Sequence, residues 1–287
     1  SYLFCKRLLL AFCFCFLSVS SCYSQKLIPF LKGDKYGYSD LDRKIIIDAV
    51  YDDAKSMEEG IGIVTIDGNI GAVNLAGEII AEIKYQDVEI KKANNKNYLV
   101  VRLNRLYGLI DENGIEIIPC EFENVSFWGT DFVGRHPKSC SIFNEKYKKV
   151  AVVEGMSVVF NEEQRILYAK EDENVEFFNN KGKRILRIKN FTNIKPIGSD
   201  FVIVEKEEAI TIITSRGDVV EKSEKIDEIE PIDKWLKIKH KEKWSLLNNE
   251  GKYILESEYD DIKIVNEYII GGKKNKYYAL FDYSGVK

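Results

Sequence analysis

Histidine is nearly missing from this chain, with His136 and His240 the only two among 287 residues. His240 sits in the alternating run Lys237-Ile238-Lys239-His240-Lys241, which reads as a surface strand with its lysines towards water. No carboxylate or cysteine stands near it at metal-ligand spacing. His136 lies in the turn Gly134-Arg135-His136-Pro137. Cysteine is scarce as well: beyond Cys22 only Cys120 and Cys140 remain, too few for a disulfide framework. Two buried thiols acting as small hydrophobes are expected in preference to a bridge. A basic surplus is also lacking. Removing residues 1–24 takes away Lys6 and Arg7 and no acids, which leaves 40 − 46 = −6 from the 42 basic and 46 acidic residues of the whole chain. An evenly spread negative balance argues against nucleic acid as a partner, because duplex binding needs a concentrated basic face. There is no Gly-x-Ser-x-Gly elbow, no phosphate loop and no dinucleotide fingerprint ahead of a helix. No catalytic residue, cofactor or metal is therefore expected, and the chain does not read as an enzyme.

The first residues differ from all that follow. Lys6 and Arg7 precede an apolar run from Leu8 to Leu17, and the small residues Ser18, Val19, Ser20 and Ser21 come next. That order describes a secretory signal peptide over residues 1–24, with an apolar run too short to span a bilayer. Val19-Ser20-Ser21-Cys22 resembles a lipobox, which would make Cys22 the lipidated residue; ordinary cleavage before Gln25 is the alternative. Both readings export the protein, to the periplasm, the outer membrane or the cell surface. Contact with a membrane is then expected only through a lipid anchor.

What the chain has in abundance is an internal repeat. An apolar anchor, a short residue, two apolar residues, Asp or Asn, two variable residues and Gly recur with anchors at Tyr36, Ile70, Tyr107, Cys140, Val175, Ile210, Trp244 and Tyr278. The spacings are 34, 37, 33, 35, 35, 34 and 34 residues. The fifth position holds Asp40, Asn74, Asp111, Asn144, Asn179, Thr214, Asn248 and Asp282. The eighth is Gly except at Arg43 and Tyr147. Asp or Asn accepts a hydrogen bond from the backbone two residues on, and Gly three residues later suits a type I turn closing at positive φ. Each anchor strand should thus turn back into a return strand such as Ile79-Ile80 or Tyr253-Ile254-Leu255. A third strand precedes the anchor, as at Tyr98–Val101 and Phe201–Val204. Each repeat then reads as a three-stranded meander ending in an aromatic-acidic corner, as in Tyr51-Asp52-Asp53 and Tyr259-Asp260-Asp261. The short residue after the anchor suggests that a neighbouring layer passes close by.

This pattern resembles the bacterial WG repeat family, named for a Trp-Gly pair at the anchor. Here the pair becomes Tyr36-Gly37 and Tyr107-Gly108, while Trp244 is followed by Ser245. The resemblance runs from about residue 27 to 287 and brings no catalytic residues with it. Adjacent apolar residues such as Leu109-Ile110 and Leu246-Leu247 mean that both faces of a strand are covered, so successive sheets should stack. An all-β array of eight repeats of about 34 residues follows. A propeller-like ring is preferred slightly over an open β-solenoid, because a ring leaves few free edges.

The candidate binding residues are those of the corners, Asp52, Asp53, Asp87, Asp260 and Asp261, together with Trp128 in the loop after repeat three. The plainer reading of the carboxylates is that they fix the corners through hydrogen bonds to backbone. The function expected is a non-catalytic scaffold of the bacterial envelope that binds a protein or peptide; a carbohydrate-binding surface module is the alternative.

Overall fold

The computed structural model describes residues 26–163, 165–207, 209–223, 226–266 and 268–287. The expected signal segment, with Cys22, lies outside them. Every regular element among the described residues is a β-strand. The strands form eight antiparallel meanders, called here sheets 1 to 8, over residues 28–51, 53–85, 87–122, 124–154, 157–189, 193–223, 228–259 and 261–281. Sheet 1 has the three strands the sequence leads one to expect and sheets 2 to 7 have four, whereas the three strands of sheet 8 are an opening strand, the strand before the anchor and the anchor strand, with no return strand among the described residues. The additional strand is the stretch after each corner, for instance Asp87–Ala93, which opens the next sheet instead of ending the previous one. Its alternation of charged with apolar residues, Val88 and Ile90 among Glu89, Lys91 and Lys92, gives it only one well-covered face.

The turn chemistry repeats without exception. In all eight repeats the side-chain oxygen at the fifth position accepts from the backbone N–H groups two and four residues on, as Asp40 does from Asp42 and Lys44 at 3.0 and 2.9 Å and Asn248 does from Glu250 and Lys252 at 3.0 and 2.9 Å. Thr214 fills the same role through its hydroxyl. The eighth position has positive φ in every repeat, including the two non-glycines, Arg43 at 67° and Tyr147 at 62°.

The short residue after the anchor has a different cause from the one expected. In repeats 1 to 3 the return strand of the same sheet bulges opposite it. A Cβ on Gly37, Gly71 or Gly108 would meet the carbonyl oxygen of Ile47, Ala81 or Ile118 at 2.4, 2.7 and 2.7 Å. Ser245 faces the same bulge and turns its hydroxyl onto the Ile238 carbonyl at 3.0 Å. In repeats 4 to 6 pairing runs straight through this position, and Ser141, Glu176 and Thr211 are accommodated there.

Packing between sheets explains the apolar doublets. Leu246 faces forward into a cluster with Ile262, Ile270 and Phe281 of sheet 8, while Leu247 faces back into one with Phe201, Ile203 and Ile212 of sheet 6. The forward position of repeats 1 to 7, held by Tyr38, Ala72, Leu109, Ile142, Phe177, Ile212 and Leu246, is 0–1% exposed throughout. Seven apolar clusters result among the described residues, one for each consecutive pair of sheets from 1–2 to 7–8, and none of them joins sheet 8 to sheet 1. The turn glycines seat on the preceding return strand: a Cβ on Gly77 would lie 3.3 Å from Ile47, one on Gly114 3.0 Å from Ile80, and one on Gly285 2.4 Å from Ile254. Stability is therefore built up from neighbour to neighbour along the chain.

Candidate interaction surface

The corner carboxylates Asp52 and Asp260 are engaged by neighbouring groups, each tying a lysine of its own sheet to the hairpin tip of the next. Asp52 accepts from the Lys35 ammonium and, at 2.6 Å, from the backbone N–H of Asp67 at the next hairpin tip. Asp260 repeats the arrangement with the Lys243 ammonium and the N–H of Asn275. Asp227 reaches the N–H of Glu242 at 3.2 Å in the same way. The lysine hydrogen bond, seconded by the backbone N–H, holds Asp52 and Asp260 below the ordinary carboxylate pKa. Asp53 turns onto the N–H of Ala54 at 3.0 Å, and Asp87 is exposed on the opening strand of sheet 3. The corner rings Tyr51, Tyr85, Phe122 and Tyr259 are buried, and burial raises the pKa of the three phenols. They offer no face for stacking on a sugar.

Trp128 ends the opening strand Asn124–Trp128 of sheet 4 and does not lie in a loop, because Phe127 and Trp128 pair with Phe132 and Asp131; it is half-buried against Phe160 of sheet 5, with ring centroids 5.0 Å apart, and Phe127 packs on Tyr98 and Phe132 at 5.3 and 5.9 Å. Cys120 and Cys140 are free thiols; Cys140 is buried in the cluster between sheets 4 and 5, which pushes its pKa up to about 12. His136 ends the strand Asp131–His136, the turn coming after it, and packs against Phe122 with ring centroids 5.0 Å apart. Among the described residues no three His, Cys, Asp or Glu side chains converge as metal ligands would.

What sequence reasoning missed is a cleft that recurs between neighbouring sheets. Between sheets 3 and 4 it encloses about 460 Å³. Its floor is apolar, from Val100, Tyr107, Val125 and Phe127, and its rim carries Glu89, Lys91, Asn124, Ser126 and Glu162. Between sheets 6 and 7 the same repeat positions line about 250 Å³, with Ile203, Ile210 and Ile229 below and Lys195, Glu205, Asp227 and Glu228 above. These side chains come from four strands up to tens of residues apart, so no local motif announces them.

Between sheets 7 and 8 the corresponding positions hold charge. Lys237 replaces Val100 and Ile203, and it is 5% exposed, contrary to the expectation that it faces water. Its ammonium lies 4.2 Å from the Trp244 ring centroid, 2.8 Å from Glu230 and 3.7 Å from Asp261. The network uses Asp261 as a counter-ion of the buried ammonium and puts charge where the other two clefts have an apolar floor.

The family profile described as "WG containing repeat" matches residues 36–69 and 107–131, and both matches begin at an anchor, Tyr36 and Tyr107. No curated protein sequence matches the chain. Among solved structures, Hsv2 of Kluyveromyces lactis aligns at 13% identity and a TM-score of 0.36, covering 78% of this chain and 90% of that one. Apo AztD from Citrobacter koseri aligns at 9% identity and a TM-score of 0.32, covering 79% and 77%. The C-terminal WD40 domain of Sif2 aligns at 10% identity and a TM-score of 0.31, covering 77% of each chain.

Proposed function

We propose that this chain, which carries WG-containing repeats at residues 36–69 and 107–131, is an exported, non-catalytic scaffold of the bacterial envelope that binds an extended segment of a partner protein. The observation that carries this reading is the recurring inter-sheet cleft, with apolar residues below and charges of both signs above. Peptide backbones and alternating side chains suit such a groove, because the floor takes apolar side chains while the rim satisfies polar groups. Export is supported by the order of Lys6, Arg7, the apolar run and the small residues before Cys22. Lipidation of Cys22 would hold the array at a membrane surface.

The carbohydrate reading is the weaker one, because the corner rings that motivated it are buried and the corner carboxylates are tied to lysines and backbone. A row of accessible rings along one rim, which glycan stacking needs, is not formed by these residues.

The test is affinity capture from cross-linked native envelope membranes with the full-length chain and with Ser126→Arg, which fills the cleft between sheets 3 and 4. One stoichiometric protein captured by the wild type and lost by the variant supports the reading. Recovery of the bait alone, or equal capture by both, counts against it.

A further inference from the structure

The cleft between sheets 5 and 6 differs from the other two in place and in charge. It encloses about 250 Å³ and lies at the return strand of sheet 5, Arg184–Lys189, whereas the clefts between sheets 3 and 4 and between sheets 6 and 7 lie at the opening strands, across the sheet. Its sheet 5 wall is apolar, from Leu186 and Ile188, which pack on the cluster joining the two sheets. Lys206 and Lys222 line it from sheet 6 and Lys189 from sheet 5, and no acidic residue lines it. The rims of the other two clefts carry both signs.

The chain does not neutralise this charge. Arg184–Lys189 is the one return strand among the described residues without an Asp or Glu, in a chain whose acids outnumber its bases 46 to 42. Its two arginines share the single carboxylate of Glu176, at 2.7 and 3.5 Å. The ammonium groups of Lys189, Lys206 and Lys222 form no ion pair or hydrogen bond with a described residue. Lys206 pairs with Ala209 and Lys222 with Thr211, which puts both lysines on the face of sheet 6 that buries Val202 and Val204 against sheet 5. Thr211 stands on the strand between them. It is 9% exposed, and its hydroxyl has no hydrogen-bond partner among the described residues. A nearly buried hydroxyl with an unused donor, flanked by two free cations, suits an incoming acceptor that carries negative charge.

We propose that the cleft between sheets 5 and 6 binds an acidic segment of a protein in extended conformation. An extended chain presents two rows of side chains on opposite sides. One row, apolar, meets Leu186 and Ile188; the other, of carboxylates, meets Lys206, Lys222 and the Thr211 hydroxyl, with Lys189 at the rim. Charge complementarity selects the acid, and the spread of the cations selects a segment over a single phosphate group. Lys206 and Lys222 lie two strands apart, about 10 Å at the usual strand spacing, and beside an apolar wall that a phosphate would not use. The cleft is separate from those that carry the proposed scaffold function, so the two can be occupied independently.

The experiment is fluorescence anisotropy of the full chain with a labelled peptide of alternating Glu and Val, beside the same peptide with Gln in place of Glu. The Glu-Val peptide should bind about tenfold or more tightly than the Gln-Val peptide, as several exposed ion pairs together provide. Lys206→Gln and Lys222→Gln, outside the apolar clusters, should each weaken binding about two- to fivefold and leave the thermal midpoint unchanged. Thr211→Val, which keeps the shape of the side chain, should weaken it as well. Ser126→Arg, in the cleft between sheets 3 and 4, should bind the peptide as the wild type does. No binding of the Glu-Val peptide, equal affinity for the two peptides, or full binding by the chain with both lysines substituted overturns the proposal. Loss of binding in Ser126→Arg overturns it too, since the peptide then sits in the other cleft. Tripolyphosphate is the competitor: displacement of the label at a lower concentration than unlabelled Glu-Val peptide requires would make the site one for phosphate and overturn the acidic segment.

Discussion

Truncating Leu246 to alanine and truncating Leu280 to alanine are the same chemical change at the same repeat position, and the structure assigns them very different costs. Leu246 is 0% exposed and packs among Trp235, Trp244, Leu255, Ile262 and Ile270. Its loss forfeits the transfer energy of the buried carbons and leaves a cavity between sheets 7 and 8, a cost of about 2–5 kcal/mol. Leu280 is 56% exposed, and its truncation should change stability by no more than about 0.5 kcal/mol in the isolated chain. Because a repeat array can unfold locally, the suitable assay is native-state hydrogen exchange resolved by peptide, at concentrations where the chain is monomeric. Amides in Lys243–Leu247 and Ile270–Lys274 should exchange at least about 30-fold faster in Leu246→Ala, given that about 1.4 kcal/mol is a tenfold change. Those in sheets 1 to 3 should be unaffected. Equal effects of the two substitutions would refute the neighbour-to-neighbour account of the core.

Arg43→Gly relieves a non-glycine residue at φ 67° and should stabilise repeat 1 by about 1 kcal/mol in thermal or urea unfolding. Tyr147→Phe removes the hydrogen bond to Asp111 and should cost about 1 kcal/mol at neutral pH. Burial and Asp111 push the Tyr147 pKa up to about 12, so the wild type should lose this contribution as pH rises above the ordinary tyrosine value of 10, and Tyr147→Phe should show a flatter alkaline profile. Lys237→Met keeps volume over Trp244 and leaves Glu230 and Asp261 partly solvated; its unfolding free energy should stay within about 1 kcal/mol of wild type. Asp52 and Asp260 titrate below the ordinary 3.8, so their stabilising contribution is present above that pH and fades as pH falls through the lower folded values. Carboxylate NMR titration should show Asp52 moving back towards 3.8 in Lys35→Met.

Turn chemistry was the most legible layer. Asp or Asn followed three residues later by Gly dictates a local geometry, and it holds even at Thr214, Arg43 and Tyr147. Stacking was legible too, because doublets such as Leu246-Leu247 make sense only when both faces of a strand are covered. The same fact defeated the reading of Lys237. Alternation separates a wet face from a dry one only when one face is wet, and here the second face meets the next sheet, with Trp244, Glu230 and Asp261 waiting for the ammonium. The opening strands such as Asp87–Ala93 escaped notice because their charged residues resemble a turn or corner. Gly37 and Gly108 mark sites of close approach in the sequence, but whether the approaching atoms belong to another layer or to a bulge in the same sheet depends on register. The clefts were invisible for a related reason: Val100, Tyr107 and Val125 come together only after three strands have paired and a second sheet has stacked on them.

The most direct test of the binding account is site-specific photo-crosslinking in intact cells, with a benzophenone side chain placed at Ser126 on the rim of the cleft and, as a control, at Lys181 on an exposed turn of sheet 5. A discrete protein adduct is expected from position 126 and none of that mass from position 181. The same adducts from both positions, or none from 126, would contradict it.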